Sequence, residues 1–149
     1  MLLKKLKIYL DNCCFCRPFD DQSNDKIRLE SEAILTIIDR CEMGKWDIIK
    51  SDVSLDEIIG IPNEIKKRKV LSLYSSALIN ISLNKDIVAH AKELLKLNIA
   101  PFDALHLACA EYGEADIFLT TDKKLINMSK KAKLKTKVLN PAVWLMEVL

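Results

Sequence analysis

The hydrophobic residues of this chain recur at two spacings, one typical of helices and the other of buried strands. In three stretches the apolar residues follow the period of a helix, which places them on one helix face. The three stripes are Ile27, Ile34, Ile38 and Cys41; Ile65, Leu71, Tyr74 and Leu78; and Ile87, Ala91, Leu94 and Leu95. The pattern predicts three amphipathic helices.

Short apolar runs of strand length lie between and around these stripes. They are KIYL at 7–10, WDIIK at 46–50, IFLT at 117–120 and KVL at 137–139, with a weaker candidate, INI, at 79–81. Runs that are continuous rather than alternating are typical of parallel strands that helices cover on both faces. We therefore predict a helix-rich α/β fold, a three-layer α/β/α sandwich around a central parallel sheet.

The composition favours a single domain over residues 1–149. The chain has 149 residues, half of them hydrophobic, and only three glycines and four prolines, so no linker is apparent. Its first residues, MLLKKLKIYL, carry lysines where a signal peptide is apolar. No segment approaches the about 18 uncharged apolar residues of a membrane span. We expect a soluble, cytoplasmic protein without membrane contact, whose five cysteines are reduced.

Acidic residues follow the predicted strands at the positions where ligands are expected. In an open α/β sheet, ligands bind beyond the carboxyl ends of the strands. The residues at these ends are Asp11 and Asn12 after the first run, Asp52, Asp56 and Glu57 after the second, and Thr121 and Asp122 after the run at 117–120. Asp103 opens a further helix, for which Pro101 suits the first position. Asp116 precedes its strand and belongs at the opposite edge.

Each of these acids also has a purely structural interpretation. Asp11 could end a strand, and Asp122 could cap the helix that follows it. Ser54-x-x-Glu57 has the form of a capping box. A helix dipole favours an acid such as Asp103 in a first turn without any ligand. Their common position at one edge of the sheet is what favours a shared site.

A pocket of several carboxylates needs a compensating charge. Each like charge within about 4–6 Å raises the pKa of its neighbour. Mg²⁺ and Mn²⁺ bind oxygen ligands and would offset this repulsion. The chemistry that such a site favours is metal-assisted hydrolysis of a phosphodiester, which requires no histidine.

Cysteines beside the first acid offer a competing interpretation. Cys13-Cys14-Phe15-Cys16 contains C-x-x-C, a pattern of zinc ligands and redox dithiols. The other candidate zinc ligands, Cys41, Cys109, His90 and His106, lie on predicted helices without paired spacing. Arg17-Pro18 replaces the clean helix that follows a redox dithiol. We therefore favour small packing residues behind Asp11, and we expect His106 on a helix surface or in the core.

The net charge is only +2, but the basic residues are concentrated in two clusters. Residues 123–137 contain seven lysines and no acid, and KKRK occupies 66–69. Such runs are usually solvated helix faces, and contact with phosphates is the functional alternative. Lys123 and Lys124 directly follow Asp122, which favours them over the more distant 66–69 cluster as contacts to a nucleic acid.

The order of these motifs resembles that of the PIN-domain nucleases, including the toxins of bacterial and archaeal toxin–antitoxin pairs. The resemblance rests on IYLDN near the start, on SDVSLDEIIG, and most specifically on PFDALHLACAEYGEADIFLTTDKKL, and it runs from about residue 7 to residue 139. It implies the α/β/α fold and an acidic metal site formed by Asp11, Glu57, Asp103 and Asp122. Asn12 and Thr120, or less favourably Thr121, would be supporting polar residues.

The resemblance also implies a function. It implies an endoribonuclease that cleaves single-stranded RNA with Mg²⁺ or Mn²⁺. The expected partners are RNA and an antitoxin protein, and a homodimer stays open. The alternatives are an inactive PIN-like module for RNA binding or assembly and, less favoured, a C-x-x-C redox protein. Which of Asp56 and Glu57 faces the pocket stays open, with Glu57 preferred, and Asp20 and Asp21 have no assigned role.

Overall fold

A computed structural model describes residues 4–77 and 79–149. The strands are β1 (Lys7–Leu10), β2 (Asp47–Ser51), β3 (Ile79–Ile81), β4 (Ile117–Leu119) and β5 (Lys137–Leu139). The helices are α1 (Asn12–Cys16), α2 (Asp25–Glu42), α3 (Asp52–Ile59), α4 (Glu64–Tyr74), α5 (Lys85–Leu95), α6 (Pro101–Tyr112), α7 (Lys123–Ser129) and α8 (Pro141–Val148). A 3₁₀ turn, Arg17–Phe19, follows α1. Of the predicted helical stripes, Leu78 lies outside the described residues.

The five strands form one parallel sheet in the order β3-β2-β1-β4-β5. All five predicted apolar runs are strands, including the weak candidate at 79–81. Within the described residues, no helix combines the length and the apolar character that crossing a bilayer requires.

Helices cover both faces of the sheet, which confirms the predicted α/β/α sandwich. Alternate residues of the central strands enter opposite cores: Ile8 and Leu10 of β1 point to one side, and Tyr9 to the other. The first core contains residues of α1, α2, α4 and α8, and the second contains residues of α5, α6 and α7. Because both faces are covered, the central strands β1 and β4 are apolar at every buried position.

The strand order creates a crevice at the centre of the sheet. From β1 the chain passes to β2 on one side, and it later returns to β4 on the other side. Connections leave β1 and β4 in opposite directions, so their carboxyl ends open a gap, which is where ligands bind in such folds. Asp11 follows β1 and Thr120 follows β4 at this gap.

Candidate active site

Asp11 lies at the carboxyl end of the central strand and is only 6% exposed. Its Oδ1 accepts the backbone N–H of Asn12 at 2.8 Å, so that Asp11 caps α1. Its Oδ2 accepts the hydroxyl of Thr120 at 2.8 Å. The backbone N–H of Asp11 donates to the carbonyl of Leu119. These bonds hold the carboxylate in the gap between β1 and β4.

Thr120 connects Asp11 to Asp122. Its hydroxyl oxygen accepts the backbone N–H of Asp122 at 3.1 Å while donating to Asp11. Asp122 is exposed, and its Oδ1 caps α7 by accepting the N–H of Leu125. The predicted cap is therefore present, and Thr120, rather than Thr121, is the hydroxyl that bridges the two acids.

Asp103 faces the same gap from α6, which begins at Pro101 as predicted. Asp103 and Asp122 line one cavity of about 250 Å³ together with Lys124. Burial, and then the charges of Asp11 and Asp122, raise the pKa of Asp103 to about 6. Repulsion among neighbouring carboxylates therefore affects this site, as the sequence led us to expect.

Glu57 approaches from α3. It is half-buried, and its charge also acts on the pKa of Asp103, whereas Asp56 is exposed to solvent. Glu57 is therefore the acid of this pair that faces the site.

Ser54-x-x-Glu57 does not form the capping box that was the structural alternative for Glu57. Ser51 is the N-cap of α3, and its hydroxyl oxygen accepts the N–H of Ser54. The reason is that β2 runs directly into α3, so the helix begins at Asp52.

His106 contacts Glu57, a contact that the sequence did not predict. The histidine is in the core, 1% exposed, and its Nε2 is hydrogen-bonded to Oε1 of Glu57. Its Nδ1 lies 2.6 Å from the hydroxyl of Tyr9. Burial lowers the pKa of His106, but the hydrogen bond to Glu57 and the charge of Asp11 outweigh it, so the net shift is upward. The i, i+3 spacing from Asp103 was the available signal, since it places both side chains near one helix face.

The cysteines of the C-x-x-C motif pack around Asp11. Cys14 is buried, and Cys13 and Cys16 are half-buried. The thiol of Cys13 lies 3.4 Å from Oδ2 of Asp11. Burial raises the pKa of Cys16 to about 11, which disfavours its thiolate, the form that reacts and binds metals. The packing interpretation therefore suits these residues better.

The remaining sequence candidates have structural or peripheral positions. Asp20 pairs with Arg17 and Lys66, and Asp21 accepts the backbone N–H of Ser23, so both acids stabilise local structure. Lys123 and Lys124 are both exposed at the start of α7.

Asn12 has a polar side-chain atom beside the site whose hydrogen bonding is incomplete. Its side-chain oxygen is buried and has no hydrogen-bond partner in the described parts of the chain. This position next to Asp11 is compatible with the supporting polar role that the resemblance implies.

The four acids lie at the same edge of the sheet, but their side chains do not form a complete coordination site. In residues 4–77 and 79–149, no three His, Cys, Asp or Glu side chains are arranged closely enough to hold a metal ion. A cavity of about 700 Å³ lies elsewhere, at the opposite edge, where Asp116 and Lys137 line it. Its mixed charges do not extend the acidic site.

Comparisons with known proteins agree with this architecture. The family model of the PIN domain matches residues 8–131. One solved structure with a similar fold is VapBC2 from Rickettsia felis bound to a DNA fragment from their promoter. The matched chain is 15% identical with a TM-score of 0.63, and the alignment covers 89% of this chain and 98% of that one. A search of curated protein sequences found no match.

Proposed function

The chain belongs to the PIN domain family, and from that premise we propose that it is a metal-dependent endoribonuclease acting on single-stranded RNA. The observation that carries the proposal is the meeting of Asp11, Asp103 and Asp122 at the central gap of the sheet, where burial and then the charges of Asp11 and Asp122 raise the pKa of Asp103 to about 6. Such repulsion is expected where a cation normally supplies the missing positive charge.

The donor set fits Mg²⁺ or Mn²⁺. Carboxylate oxygens are hard ligands that suit both ions. We propose that Asp11, Glu57, Asp103 and Asp122 hold the ion. The half-buried Glu57 and Asp103 and the exposed Asp122 would move toward it on binding. When bound, the ion would polarise the scissile phosphate and offset its charge.

The protein's own residues would then orient the site and the substrate. Thr120 fixes Oδ2 of Asp11 and the backbone of Asp122 relative to one another. Asn12 donates its backbone N–H to Asp11 and so holds the second oxygen. Lys123 and Lys124 would attract the RNA backbone at the rim, because an acidic pocket alone repels a polyanion.

We also propose that the protein is the toxin of a toxin–antitoxin pair, with an antitoxin as its partner. The support is the family together with the fold shared with a chain of VapBC2. A genomic observation would test this: we expect a small adjacent reading frame that encodes a DNA-binding motif.

Cleavage assays with matched variants test the nuclease proposal. We expect the wild type to cut single-stranded RNA with Mn²⁺ and not with EDTA. Asp11→Asn, Asp103→Asn and Glu57→Gln should each lower the rate at least about 100-fold, since each removes a ligand charge. Asp56→Asn is the control, because it removes an exposed carboxylate beside Glu57.

Two outcomes would contradict the proposal. Wild-type rates in Asp11→Asn or Asp103→Asn would mean that the site is assigned wrongly. RNA binding without any cleavage by the wild type would favour the inactive binding module instead.

A further inference from the structure

A buried hydrogen-bond network leads from the core of the fold to Glu57. Tyr9 on β1, His106 on α6 and Glu57 on α3 are linked by two hydrogen bonds, one between the Tyr9 hydroxyl and Nδ1 of His106 and one between Nε2 of His106 and Oε1 of Glu57. Tyr9 is fully buried, and its hydroxyl lies 2.6 Å from that of Ser51. This network therefore joins three elements and ends at a proposed metal ligand.

We propose that His106 is a positioning residue that fixes the Glu57 carboxylate at the metal site, with its own orientation set by Tyr9. The inference rests on the proposed function, because it presumes that Glu57 binds an ion. It goes beyond the acids to a residue that contacts no ion itself.

The inner end of this network is Tyr9, which is held firmly by its neighbours. Its ring stacks on Phe118 at a centroid distance of 5.1 Å and an angle of 6°, and both residues belong to central strands. An ionised carboxylate only accepts hydrogen bonds, so Nε2 of His106 is the donor to Glu57. The contact between Nδ1 and the Tyr9 hydroxyl holds the imidazole ring in the orientation that directs Nε2 at Glu57.

The outer end of this network is Glu57, the least buried of the three side chains. Its side chain is 28% exposed and carries several rotatable bonds, so an unpaired carboxylate would turn toward water and away from the neighbouring acids. The bond from His106 engages Oε1 and leaves Oε2 available to an ion. Nε2 of His106 also lies 3.8 Å from Oδ1 of Asp11, so the donor is near two of the proposed ligands.

Loss of a group that orients a metal ligand typically weakens metal binding about 10–100-fold. We expect that weakening for Mn²⁺ in His106→Leu, measured by calorimetric titration well below the unfolding temperature. His106→Gln should bind Mn²⁺ several-fold more tightly than His106→Leu, because its amide N–H replaces Nε2 as a donor. Tyr9→Phe keeps the stacking on Phe118 and should weaken binding less than His106→Leu does.

A double-mutant cycle separates positioning from general stability. In a Glu57→Gln background, His106→Leu should cause no further loss of Mn²⁺ affinity, because its effect passes through the Glu57 carboxylate. Unchanged or tighter Mn²⁺ binding by His106→Leu would overturn the inference, since the histidine would then merely pack or compete with the ion. If His106→Leu does not fold, the same decision rests on Tyr9→Phe, whose wild-type affinity would overturn the inference.

The proposed function has its own control in this experiment. If Asp103→Asn abolishes Mn²⁺ binding while the His106 and Tyr9 variants bind like the wild type, only the positioning role fails. If the wild type takes up no Mn²⁺, the metal site itself fails, and the positioning role fails with it.

Discussion

The cost of ionising Asp103 in the folded protein can be measured without metal. The pKa of Asp103 is raised from 3.8 to about 6, so the folded protein holds the proton of this carboxyl more tightly than the unfolded chain does. Stability from this group is fully present below pH 3.8 and is lost as the pH rises through about 6. A neutral side chain at this position would not incur that loss.

We therefore expect Asp103→Asn to stabilise the metal-free protein at pH 7 relative to the wild type, and to do so much less near pH 4. Urea unfolding of both proteins in EDTA at the two pH values measures this difference. Asp116→Asn, at the opposite edge of the sheet, is the comparison variant. A stability difference between Asp103→Asn and the wild type that is the same at both pH values would contradict the assigned pKa.

At the scale of residues, position relative to the strands identified most of the acidic edge. Asp11 and Asp122 could be placed because each lies within two residues of the end of an apolar run of strand length. The contact between Glu57 and His106 could not, because it joins α3 to α6 across 49 residues and depends on how the helices pack. The residues that catalyse a reaction remain a prediction until variants are assayed.

At the scale of elements, the hydrophobic pattern located all five described strands. The central strands β1 and β4 are buried and apolar, and the edge strand β3 has two isoleucines that pack on one core. The pattern located boundaries less well. The helix after β2 begins at Asp52, earlier than the Ser54-x-x-Glu57 motif indicates, because Ser51 both ends the strand and caps the helix. The pattern also gave no signal for α1, a helix of five residues that is too short for periodicity.

The helix α7 carries the prediction about substrate binding. Lys124 lines the cavity shared by Asp103 and Asp122, and Lys123 opens the helix that Asp122 caps. If these lysines contact phosphates, each contact contributes about −0.7 to the slope of log affinity against log salt for a single strand. Lys123→Ala with Lys124→Ala should therefore weaken RNA binding and make that slope shallower by roughly 0.7–1.4.

The matched control for α7 is Lys130→Ala with Lys131→Ala. This pair removes the same charge from exposed positions at the far end of the helix. Both double variants are compared in an Asp103→Asn background, so that RNA is bound without being cut. Equal affinities and slopes for the two double variants would mean that Lys123 and Lys124 belong to a solvated face.

At the scale of the whole molecule, the order of the strands is what the sequence leaves undetermined. Short parallel strands joined by helices are compatible with several orders, and only packing selects β3-β2-β1-β4-β5. That order places β1 beside β4 and so brings Asp11 against Thr120, which lies 109 residues later in the chain. A site assembled from distant segments links occupancy by a ligand to the stability of the entire fold.

This linkage gives the final prediction. An ion that binds only the folded protein stabilises it by about 2.7 kcal/mol at a concentration 100-fold above its dissociation constant. For a domain of this size, that corresponds to a rise in Tm of roughly 5–11 °C. We expect Mn²⁺ to raise the Tm of the wild type and of Asp56→Asn by this amount, and to raise that of Asp103→Asn far less, because the latter lacks a proposed ligand. Scanning fluorimetry with and without Mn²⁺ measures the shifts, and equal shifts in all three proteins would place the bound ion away from the acidic edge of the sheet.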